Sequence, residues 1–213
     1  ILVYFDIERS IMKKIVIIDY NIGNLQSVQA AFLRLRQETV ISRDLEDIRK
    51  ADALILPGVG AFPTAMNNLK KFNLIELIQE RAAAGIPILG ICLGMQVLFE
   101  KGYEIEERQG LGLLKGAVIP IKTNEKIPHM GWNQLNLAKT SPTTHYLSDN
   151  DEVYFVHSYQ ATCPDDELIA YTTYGEVKIP AIVGKNNVIG CQFHPEKSGE
   201  IGRKILKAFL EEI

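Results

Sequence analysis

Apolar runs alternate with segments of helical period along the first half of the chain. Residues 15–19 hold four β-branched side chains and then a polar end, which predicts a buried strand. Residues 24–36 place Leu25, Val28, Ala31, Phe32 and Leu35 on one face of a helix. Residues 53–56 form a second short apolar strand, stopped by Pro57-Gly58. Residues 63–84 predict helix with a break near Phe72 and Asn73. Residues 87–91 predict a third buried strand, and 95–100 predict a helix opening directly after it. Strands apolar on both faces, alternating with helices, predict a parallel sheet covered on both sides.

The second half has a different rhythm. Gly110, Gly112 and Gly116 punctuate a loop or short-strand region that runs to Pro128. Residues 152–157 and 169–173 alternate as strands do. Residues 181–184 and 188–193 flank Lys185-Asn186-Asn187, which reads as a hairpin turn. Residues 201–210 form an amphipathic helix. No internal repeat or linker divides the chain. The expected fold is one α/β domain over residues 12–213, a three-layer α/β/α arrangement. Its central sheet is mostly parallel, with a mixed or antiparallel C-terminal portion.

Composition adds exclusions. The chain has 213 residues, 46% of them hydrophobic and 23% charged, which excludes a disordered or collagen-like protein. A net charge of -3 argues against nucleic-acid binding by bulk charge. No apolar run approaches the roughly 20 residues of a membrane helix. Cys92, Cys163 and Cys191 are odd in number and form no C-x-x-C pair. That argues against a disulfide framework or thiolate zinc site and for a reducing, cytoplasmic setting. Residues 1–11 do not begin with Met and lack the basic start and clean apolar stretch of a signal peptide. They are expected to be a non-native or upstream leader, with Met12 the native start. An intact mass from the native source that included them would contradict this.

The chemistry begins at Gly90-Ile91-Cys92-Leu93-Gly94, where a buried strand meets a helix. A nucleophile on such a turn is forced into strained backbone, and flanking glycines remove clashes that side chains would make. The thiol then projects from the C-terminal end of a strand, where open α/β sheets bind ligands. The helix N-terminus behind it stabilises a thiolate, and the Leu93 N–H points toward a developing oxyanion. Taken alone, the motif fits a buried structural cysteine equally well. His194-Pro195-Glu196, at the end of another apolar strand, supplies a base and its orienting carboxylate. In extended chain, residues two apart share a face, so Glu196 can lie alongside His194. Pro57-Gly58-Val59-Gly60-Ala61-Phe62 also follows a strand, and its glycines can aim a backbone N–H into a site.

Together these residues resemble the class I (triad) glutamine amidotransferases, whose fold is flavodoxin-like. The family's elbow G-[IV]-C-x-G-x-Q matches Gly90 to Gln96, and its distant H-P-E matches His194 to Glu196. The resemblance covers nearly all of residues 12–213. It narrows at Asp19 to Asn24, at the 57–62 turn, at His129-Met130-Gly131-Trp132-Asn133, at Val156 to Tyr159, and at Lys197. These look like the branch whose glutaminase pairs with a (β/α)8-barrel cyclase in histidine biosynthesis.

The resemblance implies that glutamine is hydrolysed to glutamate and ammonia without a cofactor, and that ammonia passes to the cyclase in a heterodimer. It casts Cys92 as nucleophile, His194 as acid and base, and Glu196 as support. Backbone N–H groups of Leu93 and of Gly58-Val59 hold the oxyanion, and the turn reorients at Gly58 to complete the hole. Gln96, Glu104, His157, Ser158 and Tyr159 hold glutamine, Glu104 through the α-ammonium group; otherwise Glu104 is a solvated charge in the run 104–108. Trp132 suits an interface anchor or, failing that, the core. Lys197 suits a charge pair with the barrel or plain solvation. Asn24 and Ser27 suit the ammonia exit or simple helix capping. Cys163 and Cys191 read as structural, and His145 as a surface residue. His129 has no partner pattern, and no histidine spacing supports a metal site.

Three other readings compete. A triad glutaminase could serve the synthase of anthranilate, carbamoyl phosphate or pyridoxal phosphate, against which 129–133 argues. A flavodoxin-like cysteine hydrolase or peptidase would leave H-P-E unexplained. A non-enzymatic interaction module would not need Cys92, His194 and Glu196 together.

Overall fold

The structure, a computed structural model, describes residues 13–213, so the expected leader and Met12 lie outside it. The first half runs β1 (Ile15–Ile18), α1 (Leu25–Arg34), β2 (Thr39–Ser42), α2 (Leu45–Arg49), β3 (Ala53–Gly58), α3 (Phe62–Lys71), α4 (Ile75–Ala83), β4 (Ile88–Cys92) and α5 (Leu93–Gln96). There follow β5 (Phe99–Gly102), β6 (Arg108–Gln109), β7 (Leu114–Pro120), β8 (His129–Gln134), β9 (Asn136–Leu137), β10 (Glu152–His157) and β11 (Tyr159–Thr162). The chain closes with β12 (Leu168–Tyr174), β13 (Val177–Lys185), β14 (Val188–Cys191) and α6 (Gly199–Glu211).

The main sheet has eight strands in the order β2-β1-β3-β4-β14-β13-β12-β9. Its first five are parallel and its last three add antiparallel, so the expected mixed sheet is present. Alternate side chains of one strand enter opposite cores. Val16, Ile18, Leu54 and Leu56 meet α2, α3 and α4 on one face. Ile15, Ile17, Ala53 and Ile55 meet α1 and α6 on the other. This two-sided burial explains why the parallel strands are apolar throughout.

One consequence positions the site. β3, β4 and β14 are adjacent and parallel, with Gly58 paired to Cys92 and Cys191 paired to Ile91. Their C-terminal ends therefore deliver the 57–62 turn, the nucleophile and the H-P-E segment to one edge.

Several elements differ from expectation. The helix expected over 95–100 is instead the single turn α5, and β5 opens at Phe99. Val97, Leu98 and Phe99 are all fully buried, and periodicity cannot separate a short buried strand from a buried helix. β5 joins a second, four-stranded sheet, β11-β7-β5-β6. β2 escaped the pattern because it is an edge strand with a half-open face. The 129–133 segment is a strand, pairing antiparallel with β10. The break between α3 and α4 falls where expected, with Asn73 at φ 57° ending α3. Among the described residues no helix is long and apolar enough to cross a membrane.

Candidate active site

Cys92 sits at φ 54°, ψ −111°, a conformation that side-chain-bearing residues avoid. Such strain costs on the order of 1–3 kcal/mol and persists only where packing enforces it. The packing is visible in the glycines. A Cβ on Gly94 would lie 1.6 Å from the Leu56 carbonyl oxygen, and one on Gly90 would lie 2.7 Å from that of Gly94. Backbone therefore touches backbone where α5 turns over β3 and β4. The elbow expected from sequence is present.

His194 Nδ1 donates to Glu196 Oε1 at 2.8 Å, with both side chains buried. The pair meets as expected, but by a different route. Residues 195–197 form a 3₁₀ turn that folds Glu196 back, rather than an extended segment. β10 braces it: His194 N donates to Tyr154 O, and Ser198 Oγ donates to His194 O at 2.6 Å. Burial disfavours the imidazolium, but the Cys92 thiol and the Glu196 carboxylate outweigh it and carry the imidazole up to about 9. Its Nε2 is buried without another hydrogen-bond partner. The ring is thus set to hold a proton beside the sulfur and to surrender it when that charge is consumed.

A cavity of about 350 Å³ opens over the sulfur. Its lining includes Cys92, His194, Val59, Leu93, Gln96, Glu104, His157, Ser158 and Tyr159, all singled out from sequence. Gly60 and Val156, which lie in the 57–62 turn and the 156–159 segment picked out from sequence, and Pro128, for which sequence reasoning had no functional signal, complete it. Gly58 lies just behind. A Cβ there would stand 2.6 Å from the Tyr20 hydroxyl and 2.9 Å from Leu93 Cβ, so only glycine fits. Tyr20 was not singled out alone, yet its hydroxyl donates to Pro57 O at 2.5 Å and anchors the turn.

The remaining expected residues separate by role. Glu104 Oε2 accepts from Phe62 N at 2.7 Å, capping α3, whose N-cap Ala61 has no side-chain acceptor. That contact anchors the loop and sets the carboxylate on the cavity wall. Gln96 Nε2 donates to Tyr159 O at 3.1 Å and to Gln192 Oε1 at 3.0 Å. β10 ends at His157 and β11 opens at Tyr159, so Ser158 lies at the break between the two strands.

His129, without a partner in the sequence pattern, proves to be buried and bonded. Register pairs it with His157 across β8 and β10. His157 Nδ1 donates to Tyr159 O at 2.8 Å, because a carbonyl can only accept. His157 Nε2 therefore accepts from His129 Nδ1 at 3.0 Å, and His129 Nε2 accepts from Asn133 Nδ2 at 3.2 Å. Both rings are neutral: burial pushes His129 down to about 4 and His157 to about 3. With both ring nitrogens occupied, His157 contributes to the cavity through position rather than a free imidazole nitrogen.

Trp132 is 55% exposed and Met130 61%, so the tryptophan is not in the core. Tyr154 packs edge-on against Trp132 with ring centroids 6.1 Å apart. Lys197, directly after Glu196 and the last residue of the 3₁₀ turn, is exposed. Asn24 caps α1, its Oδ1 accepting from Ser27 N at 3.4 Å, so Asn24 is the cap and Ser27 a first-turn residue whose N–H is capped. Cys191 is buried, Cys163 half-buried and His145 exposed. Among the described residues no three metal-ligating side chains converge.

A strained cysteine at a strand-to-helix turn, a buried His-Glu pair and a glycine turn on the adjacent strand define an acyl-transfer site of the triad type. The family description "Glutamine amidotransferase class-I" matches residues 16–213, and the chain belongs to that family. Within it stand close relatives. The curated "Imidazole glycerol phosphate synthase subunit HisH" of Lactococcus lactis subsp. lactis (strain IL1403) is 98% identical over 202 residues, covering 95% of this chain and 100% of that protein. The protein of the same name from Bacillus cereus is 48% identical over 195 residues, covering 92% and 93%. Solved structures share the fold. "Structure of PurLQS from Thermotoga maritima" superposes with TM-score 0.74 at 23% identity, covering 94% and 99%. "Crystal structure of glutamine amidotransferase" superposes with TM-score 0.73 at 20% identity, covering 92% and 97%.

Proposed function

We propose that this chain is the glutaminase subunit of imidazole glycerol phosphate synthase. The observation that carries the chemistry is the register of β3, β4 and β14, which brings Gly58, Cys92 and His194 to one edge. The particular synthase rests on the 98% identical relative.

The Cys92 sulfur attacks the side-chain amide carbon of glutamine. The oxyanion that forms is held by the N–H of Leu93 and by the Gly58-Val59 turn. Collapse of this intermediate expels ammonia, protonated by His194. Water, deprotonated by the same imidazole, then cleaves the thioester and releases glutamate. Glu196 keeps Nδ1–H fixed so that Nε2 faces the reaction throughout. Glu104 receives the α-ammonium group, and Gln96, His157, Ser158 and Tyr159 shape the rest of the subsite. No cofactor is needed.

The partner is a (β/α)8-barrel cyclase, which joins the ammonia to a phosphoribulosyl-formimino aminoimidazole carboxamide ribonucleotide. Its products are imidazole glycerol phosphate and an aminoimidazole carboxamide ribonucleotide, and the setting is the cytoplasm. Exposed Trp132 and Lys197 suit the heterodimer surface. Asn24 and Ser27 suit the ammonia exit, since Gly23 beside them packs against Pro57 and Gly58. A glutaminase active without its cyclase would waste glutamine. Basal activity is therefore low, and the liganded cyclase raises it by completing the oxyanion hole. One missing donor costs about 3–4 kcal/mol, or two to three orders of magnitude in rate. Purified chain and cyclase, mixed and run on a sizing column with the cyclase substrate, should give a one-to-one complex. Two separate peaks at micromolar concentration would count against the pairing.

A further inference from the structure

Gln192 is wholly buried, at 0% exposure, between β14 and the catalytic histidine. Nothing in the triad accounts for a primary amide there. Its two ends have distinct neighbours: Oε1 lies 3.0 Å from Gln96 Nε2, and Nε2 lies 3.9 Å from Cys92 Sγ. The orientation of this amide follows from chemistry. Gln96 Nε2 also meets Tyr159 O, which can only accept, so Gln96 presents its donor end on this side. Gln192 must answer with its oxygen; turned over, it would set two NH2 groups against each other. Its own NH2 is therefore left facing the sulfur.

A second neighbour of the sulfur is an acceptor. Val156 O lies 3.9 Å from Cys92 Sγ. A neutral thiol can donate to that carbonyl, whereas a thiolate is repelled by it and can only accept. The two neighbours thus favour opposite protonation states of the same atom, the thiol drawn to Val156 O and the thiolate to Gln192 Nε2.

We propose that Gln192 is a positioning residue for the nucleophile, an N–H donor that holds the Cys92 sulfur as thiolate, away from Val156 O and aimed into the glutamine cavity. Gln96 fixes the amide so that this donor is always presented. The bond forms no new covalent species; it biases where the sulfur and its proton reside before attack. The kinetic part of this inference rests on the glutaminase reading, but the reactivity of the thiol does not. The titratable groups around the sulfur are His194, backed by Glu196, at the end of β14, Tyr20 after β1, His157 at the end of β10, and Glu104 on the cavity wall. Since all remain in a Gln192 variant, a change in the thiol's pH profile reports the lost donor.

The test follows carbamidomethylation of Cys92 by iodoacetamide against pH, read by mass on the Cys92 peptide, in the full chain and in Gln192→Met and Gln192→Glu. The reactivity midpoint should rise by about one pH unit in Gln192→Met, a tenfold loss of thiolate at fixed pH, and further in Gln192→Glu. With the cyclase and its ligand present, kcat for glutamine should fall about tenfold in Gln192→Met while KM stays within a factor of about two. An unshifted midpoint in either folded variant would overturn the proposal. Should neither variant fold, the wild-type chain decides. The Gln192 side-chain amide proton should move in NMR spectra when Cys92 is alkylated, and a resonance that stays put overturns the assignment. Absent glutamine turnover together with a shifted midpoint would defeat the glutaminase reading and leave Gln192 in its role.

Discussion

Cys92→Ala removes the attacking atom, and glutamate production by the complex should fall at least about a thousandfold while the chain stays folded. Glu196→Gln keeps the shape of the support but not its charge, and kcat should drop on the order of a hundredfold. The buried histidines give stability a pH dependence whose sign can be worked out. His129 and His157 titrate near 4 and 3 in the fold, below an unfolded value near 6.5. The unfolded chain therefore takes up protons first, and stability falls as the pH drops from about 6.5 toward 4. A histidine held neutral loses on the order of 2 kcal/mol of stability at pH 5 relative to pH 7. His194 is raised to about 9, so its contribution is full below about 6.5 and is lost as the pH climbs through 9. Urea denaturation at pH 5, 7 and 9 should show a maximum near neutrality, and His157→Asn should flatten the acid limb. An acid limb unchanged in that variant would contradict the burial of His157 as a neutral ring. Cys92, His194 and Glu196 could be named from sequence because each sits in a short local motif of distinctive chemistry, although the two motifs lie far apart in the chain. Gln192 and His129 could not, since their partners lie 96 and 28 residues away and only strand register joins them.

The elbow depends on backbone contact between elements. Gly94→Ala would drive a methyl group into the Leu56 carbonyl 1.6 Å away, which no rotamer can relieve. Such a variant should lose more than about 4 kcal/mol and accumulate as insoluble protein. Gly58→Ala meets the Tyr20 hydroxyl at 2.6 Å and should cost about 1–3 kcal/mol, with a larger loss of glutaminase activity than of stability. Thermal melts and soluble yield distinguish the two. A soluble, active Gly94→Ala would contradict the packing described. The parallel strands were readable in the sequence because burial on both faces makes them uniformly apolar. The fate of residues 97–102 was not, because an apolar run that short carries no period. Loop anchoring was equally hidden: Glu104 is fixed by the N-terminus of α3, 42 residues away.

The molecule as a whole presents one end of its sheet to chemistry and exposes Met130 and Trp132 on the neighbouring β8. Trp132→Ala should weaken the cyclase complex by at least about tenfold in Kd, measured by titration calorimetry, with the fold intact. An unchanged Kd would move the interface elsewhere. The parallel part of the central sheet followed from the alternation of strand and helix, but the eight-strand order and the separate four-stranded sheet did not. Those depend on which edges meet, which periodicity does not encode. The most direct test of the whole account is glutamate production from glutamine by this chain alone, with the barrel cyclase, and with the cyclase plus its nucleotide ligand. The account predicts little in the first two mixtures and a rise of two to three orders of magnitude in the third, roughly the worth of one oxyanion donor. Strong turnover by the chain alone, indifferent to the liganded cyclase, would keep the Cys92 triad and contradict its assignment to this synthase.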